Sequence, residues 1–124
     1  MSYLGLFVIS LFISPVLFAN GAKKTTGLAS DKNVTVVMET SMGTVEIALD
    51  EKKAPLTVKN FLNYVNEKYY DGTVFHRVIG SFMIQGGGFE LKEKKITQKK
   101  TKEPVANEGK NGLKNLTGTI AMAR

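Results

Sequence analysis

Cysteine is absent from the 124 residues and histidine occurs once, at position 76. Without a thiol the chain can build no disulfide framework, no thiolate nucleophile and no cysteine-based zinc site. A single imidazole excludes a multi-histidine metal centre as well, so no metal and no cofactor is expected. Internal repeats are lacking, and no charged side chain precedes Lys23. Acidic residues are outnumbered by basic ones, 11 to 17, for a net charge of +6. Such an excess invites a nucleic-acid or anionic-surface reading. Much of it, however, sits in one polar stretch (Lys92, Lys94, Lys95, Lys99, Lys100, Lys102) without interleaved aromatics. Stacking on bases gets no support there, and a solvated loop explains the run. No nucleic-acid partner is expected, and the basic surface remains the weakest of three readings.

What is present is an ordinary globular composition, 43% apolar and 23% charged, on a chain long enough for one domain. Residues 3–19 (YLGLFVISLFISPVLFA) are almost continuously apolar. That length lies between a long signal-peptide core and a short membrane helix. Pro15, followed by small-residue exits at Ala19 and Ala22, favours a secretory signal peptide over residues 1–22 with cleavage after either alanine. The n-region carries no Lys or Arg, so an uncleaved anchor is the alternative. A polar linker over 23–33 follows, and the domain is expected from 34 to 124. The protein is then secreted or periplasmic, with no stable membrane insertion after cleavage.

Val34 to Thr40 is β-branched, Thr44 to Leu49 alternates, and Ser41-Met42-Gly43 lies between, which predicts a β-hairpin with Val45, Ile47 and Leu49 on one face. Val58, Phe61, Leu62 and Val65 at helical spacing, with Pro55 suited to a first turn, predict an amphipathic helix of about three turns. Tyr69-Tyr70-Asp71-Gly72-Thr73 turns the chain. From Phe89 to Pro104 the reading is a long polar excursion, and Gly118 to Ala123 reads as a strand.

The densest chemistry lies in Phe75-His76-Arg77-Val78-Ile79 and Phe82-Met83-Ile84-Gln85, joined by Gly80-Ser81 and closed by Gly86-Gly87-Gly88. A charge inside an apolar strand is costly unless it reaches solvent, a partner or a ligand. For Arg77 alone, snorkelling or pairing with an acid is the ordinary explanation, and His76 alone reads as a hydrogen-bonded structural residue. Together, Arg77, Met83 and Gln85 on one face would offer N–H donors, a soft apolar wall and an amide, with Phe82 nearby for a flat ring. That set suits an apolar five-membered ring beside an amide, as in a prolyl peptide. A tight two-residue turn would pair Arg77 with Ile84, so a wider or bulged connection near 79–81 is required to put Arg77 beside Gln85.

These two runs closely resemble the defining motif of the cyclophilins, the peptidyl-prolyl cis/trans isomerases. The similarity continues, in family order, through Met42 to Leu49, Ala54 to Phe61, Tyr70 to Thr73 and Gly118 to Ala123, and the three glycines and Ala-Met-Ala-Arg resemble the secreted bacterial branch. The resemblance implies a mainly β fold, an antiparallel barrel capped by helices, and an isomerase acting on Xaa-Pro bonds of exported proteins. Carried over by position, Arg77 and Gln85 would be catalytic, and Phe82, Met83 and Ala123 would bind substrate. Proline-containing polypeptides are the implied partners, cyclosporin-type compounds the implied inhibitors, and a monomer the implied state. His76 is not the groove histidine of the family and is read as structural support. Where the family has Pro-Gly, this chain has Gly80-Ser81. The family's second half is not matched, so an N-terminal portion with an incomplete barrel is expected. A non-catalytic proline-peptide binder or an inactive truncated fragment is the alternative.

Overall fold

The computed structural model describes residues 33–123, together with the backbone of residues 6–9. Most of the signal and linker segments therefore lies outside the described residues.

Alternation along the first part of the domain produces a hairpin. β2 (Val34–Thr40) pairs antiparallel with β3 (Gly43–Leu49), Val34 opposite Leu49 and Thr40 opposite Gly43, leaving Ser41 and Met42 as the turn. The Thr40 hydroxyl donates to the Gly43 carbonyl at 2.7 Å and accepts from the Met42 N–H at 3.1 Å. Ile47 and Leu49 are buried, and Val45 and Val36 are half-buried on the core side, because successive side chains of a strand face opposite ways.

After the hairpin, the Asp50 carboxylate accepts from the Lys53 N–H at 3.0 Å and turns the chain into α1 (Pro55–Asn66). Proline fits the first turn, where its missing N–H has no intrahelical role. Val58, Phe61 and Tyr64 form the buried stripe. Ile47, Leu49, Val58 and Phe61 make the core, with Val34, Met38, Leu62, Tyr70 and Ile120 packed around them. The helix ends with Lys68 at φ 55°, its N–H bonded to the Val65 carbonyl and that of Tyr69 to the Tyr64 carbonyl. This is a Schellman closure, and its apolar contact is the Tyr64–Tyr69 ring pair at 4.6 Å.

The second sheet has the order β4–β5–β1–β7, where β1 is Leu6–Ile9, β4 Thr73–Ile79, β5 Met83–Lys92 and β7 Ile120–Ala123, with β6 (Lys95–Gln98) also on β5. All pairings are antiparallel. The fold is thus antiparallel β with one helix, as a partial cyclophilin barrel requires, and the described strands do not close into a barrel. A cleft of about 800 Å³ separates the hairpin from the larger sheet, lined among others by Val36, Met38, Phe61, Phe75, Gly86 and Ile120.

The lysine-rich excursion is more ordered than its composition suggests. β5 runs on to Lys92, turns through Glu93 and Lys94, both at positive φ, and returns as β6. Two positive-φ residues between paired strands form a type I′ turn, the hairpin geometry usually made with Asn-Gly. Past β6, Lys99 donates to the Tyr69 carbonyl and lies over its ring, while Lys102 pairs with Glu67 and its N–H donates to the Tyr64 hydroxyl at 2.7 Å. Two of the lysines thereby anchor the loop to the end of α1. Among the described residues, no helix is long and apolar enough to cross a membrane.

Candidate active site

The site forms where β4 meets β5. Ile79 pairs with Met83, so the connection has three residues, 80–82, and is wider than a two-residue turn. The Phe82 N–H closes it on the Ile79 carbonyl at 3.1 Å, with Ser81 at φ 63°. A positive φ at the third position of such a turn is the type II pattern, which favours glycine there. From this turn the ladder runs Val78 opposite Ile84 and Arg77 opposite Gln85.

One residue further the ladder breaks. Phe75 pairs with Gly86, so His76 is an extra residue in β4. Gln85 and Gly86 are consecutive in β5 and face opposite ways, and their partners Arg77 and Phe75 must therefore do the same, although they lie two apart. Phe75 thereby joins the cleft beneath the hairpin, while Arg77 stays on the other face with Ile79, Met83 and Gln85. A second irregularity, between Thr73 opposite Glu90 and Phe75 opposite Gly86, sets three residues of β5, Gly87 to Phe89, against the single Val74 of β4. Gly87 has φ 91°. A Cβ on Gly86 would stand 2.7 Å from Phe75 Cδ1. These two glycines serve the bulge and the close approach of the Phe75 ring.

Arg77 Nη1 donates to Gln85 Oε1 at 3.4 Å. Gln85 and Met83 are only 8% and 7% exposed, whereas Phe82 is 67% exposed at the tip of the turn. No carboxylate pairs with Arg77 among the described residues. A guanidinium carries five N–H donors, and one is engaged by Gln85. Arg77 is exposed, and the partner its guanidinium meets is an amide, a neutral acceptor that does not cancel its charge. Ala123 lies on the same face by register: Gln85 stands opposite Val8, Val8 opposite Ala121, and Ala123 is two residues on. β7 is three strand spacings, about 14 Å, from β4, so Ala123 bounds the surface at a distance from Arg77. Ala121, in the same row as Gln85, is a position that sequence reading left out, because only the cross-strand register identifies it.

His76 is turned away from this group. Its ring lies 4.4 Å from that of Phe89, and its Nδ1 is buried without a partner. Among the described residues, no three His, Cys, Asp or Glu side chains group as metal ligands.

The comparisons with known proteins agree with this geometry. The family model described as cyclophilin type peptidyl-prolyl cis-trans isomerase/CLD matches residues 35–124. Peptidyl-prolyl cis-trans isomerase A of Dickeya dadantii is 55% identical over 96 residues, covering 77% of this chain and 49% of the relative. Peptidyl-prolyl cis-trans isomerase B of Escherichia coli is 57% identical over 89 residues, covering 72% and 52%. An Acinetobacter baylyi peptidyl-prolyl cis-trans isomerase is 53% identical over 92 residues, covering 74% and 47%. The chain spans about half the length of the curated relatives it matches. With the motif, the antiparallel sheets and the matched residues in agreement, the chain belongs to the cyclophilin-type peptidyl-prolyl cis-trans isomerase family.

Proposed function

We propose that this chain carries the arginine side of a prolyl isomerase site and accelerates rotation about Xaa-Pro bonds in exported polypeptides. Amide resonance sets a barrier of ~18–20 kcal/mol, and unassisted X–Pro isomerisation takes tens to hundreds of seconds. Rotation removes resonance and leaves a lone pair on the prolyl nitrogen. A guanidinium N–H aimed at that nitrogen binds the twisted state more strongly than either planar one, which is the condition for catalysis. In this reading Arg77 is the donor, and Gln85 holds both Arg77 and the substrate backbone. Met83 and Phe82 receive the proline ring, and Ala123 contacts the residue before it. No nucleophile or proton transfer is needed.

The observation that carries the proposal is the direct pairing of Arg77 with Gln85 beside a buried Met83. Isomerisation of a prolyl tetrapeptide, followed by NMR exchange, tests it. The rate should rise with added protein, and Arg77→Ala should remove about 10²-fold or more of the acceleration while peptide affinity changes by much less. Equal rates with and without the protein would remove the enzyme claim and leave a proline-peptide binder. The same assay in the presence of a cyclosporin-type cyclic peptide, which should compete for Phe82 and Met83, checks the inhibitor class. A constant sedimentation coefficient on dilution checks the monomer.

Export is supported by the apolar run over 3–19 and the small residues at Ala19 and Ala22. Mass spectrometry of the N-terminus after expression in a secreting host should show a start at Asn20 or Lys23. An intact Met1 on the exported protein would count against cleavage.

A further inference from the structure

Between β6 and β7 the described chain forms turns and bends rather than helix or strand. Three asparagines punctuate this stretch, and each precedes a different residue: Asn107 stands before Glu108, Asn111 before Gly112 and Asn115 before Leu116. Two of them close the same kind of local ring. The Asn107 side-chain carbonyl accepts from the Gly109 N–H at 2.7 Å, and that of Asn111 accepts from the Leu113 N–H at 3.0 Å. Both are Asx turns, in which the side chain mimics a backbone carbonyl. What separates them is the backbone nitrogen enclosed by the turn, which belongs to Glu108 in the first and to Gly112 in the second.

An asparagine amide is open to attack by the nitrogen of the next residue when that nitrogen is unobstructed, the amide carbon is polarised and the leaving amine is free to depart. Gly112 is exposed, and a Cβ built on it would meet nothing within 4 Å. Its φ of 82° lies in the left-handed region, so the turn itself calls for glycine after Asn111. The Leu113 N–H draws electrons from Asn111 Cγ and is a fixed donor for the negative charge that grows on Oδ1 during attack. Because only the oxygen can accept from an N–H, the same bond turns Nδ2, the leaving group, away from Leu113. At Asn107 the first condition fails. Glu108 carries a side chain beside its nitrogen, and its carboxylate opposes loss of the amide proton.

We propose that Asn111 is a self-modification site, which deamidates through a cyclic imide formed with Gly112, and that the product releases Glu108 from the start of α1. Hydroxide removes the Gly112 amide proton, and the nitrogen electron pair forms a bond to Asn111 Cγ. The Cγ–Nδ2 bond then breaks, and ammonia leaves with a proton taken from water, which restores the hydroxide. Water opens the imide at either carbonyl, giving an aspartyl or an isoaspartyl linkage without any oxidant or reductant. Both products place a carboxylate where the amide stood, and the isoaspartyl one also adds a methylene to the main chain. The Asn111 N–H donates to the Glu108 carbonyl at 3.1 Å, while the Glu108 carboxylate accepts from the Leu56 and Thr57 N–H groups. The change therefore falls on the turn that holds the first turn of the helix. Nothing in this inference rests on the isomerase reading.

Trypsin places the three asparagines in separate peptides, 103–110, 111–114 and 115–124, so the full chain carries its own controls. After incubation in mildly alkaline buffer, peptide 111–114 should convert to the acid about tenfold or more faster than the other two, because only its asparagine precedes glycine. Part of the product should accept a methyl group from an isoaspartyl methyltransferase. In the folded chain conversion should be no slower than in a synthetic peptide of residues 107–117, since the Leu113 donor is already in place. Conversion of Asn107 or Asn115 at the rate of Asn111, a product without isoaspartyl linkage, or a folded chain slower than the peptide would each overturn the site. Gly112→Ala should slow conversion by about tenfold, and an unchanged rate would exclude the Gly112 nitrogen as nucleophile. Should that variant not fold, the three peptides of the unmodified chain decide alone. For the release of Glu108, the Leu56 and Thr57 amides should exchange severalfold faster in the converted protein and in Asn111→Asp. Unchanged exchange in both would refute the coupling to α1.

Discussion

At the scale of single residues, the turn before Met83 sits under a local conflict. Ser81 holds φ 63°, a conformation that costs an L-residue roughly 1–2 kcal/mol. The Pro-Gly of related sequences suits the type II pattern, proline at the second place and glycine at the third. Ser81→Gly should therefore stabilise the domain by about 0.5–1 kcal/mol, part of the relief being offset by the freer unfolded chain. Chemical denaturation of both proteins under matched conditions measures the difference. The opposite sign is expected at Gly86, where an added methyl meets Phe75 Cδ1 at 2.7 Å and the Val74 carbonyl at 3.2 Å. Gly86→Ala should cost about 1–3 kcal/mol and displace the Phe75 ring, visible as shifted aromatic resonances. Wild-type stability and spectra in that variant would show that the approach is not tight.

At the scale of elements, α1 lacks any acidic residue in its first turn and any side-chain cap of its own. Glu108 supplies both from the far loop. Its carboxylate accepts from the Leu56 N–H at 3.1 Å and the Thr57 N–H at 2.7 Å, satisfying two of the donors a helix leaves unpaired and placing a negative charge at the positive end of the dipole. Glu108→Ala should lower stability by about 1–2 kcal/mol and loosen residues 104–112, measurable by thermal unfolding and by amide exchange. Unaltered exchange in the loop would mean that the carboxylate does not tether it.

The hairpin and the helix were legible in the sequence because each follows a simple period and has its own punctuation, Ser-Met-Gly in one and Pro55 in the other. The β5–β6 hairpin was not, since its turn is Glu93-Lys94 and carries neither glycine nor asparagine. Nor was the helix stop, where Lys68 takes the left-handed place usually given to glycine. Glu108 is separated from the helix it caps by a long stretch of chain, so no local pattern could reveal it. In the site, residue types were readable but register was not. The width of the 80–82 connection follows from requiring Arg77 beside Gln85, whereas the extra residue at His76 leaves no trace in composition.

For the molecule as a whole, the weak point under alkaline conditions is the tyrosine cluster that joins helix, turn and lysine loop. Burial pushes the Tyr70 hydroxyl well above its ordinary value of 10.0, with Tyr64 and Tyr69 adding to the rise. Burial raises Tyr69 too, followed by Tyr64 and Glu90. The folded state favours the neutral phenol. Its contribution is complete below pH ~10 and declines above that, as unfolded tyrosine ionises while the folded hydroxyl resists. Stability against urea should accordingly fall as pH rises beyond ~10, and tyrosinate absorbance should grow together with unfolding. Tyr70→Phe should flatten that decline. A wild-type protein whose tyrosines ionise freely before it unfolds would refute the account.

The extra residue at His76 has a consequence for how this strand can vary. It divides β4 into two reading frames: up to Phe75 the chain is in phase with the cleft beneath the hairpin, and from Arg77 onward it is in phase with the face that carries Met83 and Gln85. Substitution at position 76 keeps both frames, because only the number of residues sets the phase. Removing His76 altogether would also preserve them, since Phe75 and Arg77 would then alternate naturally against Gly86 and Gln85. Ironing the bulge flat at full length is the change that cannot be tolerated: with His76 drawn opposite Gln85, Arg77 would pass to the interior and a histidine would stand in its place.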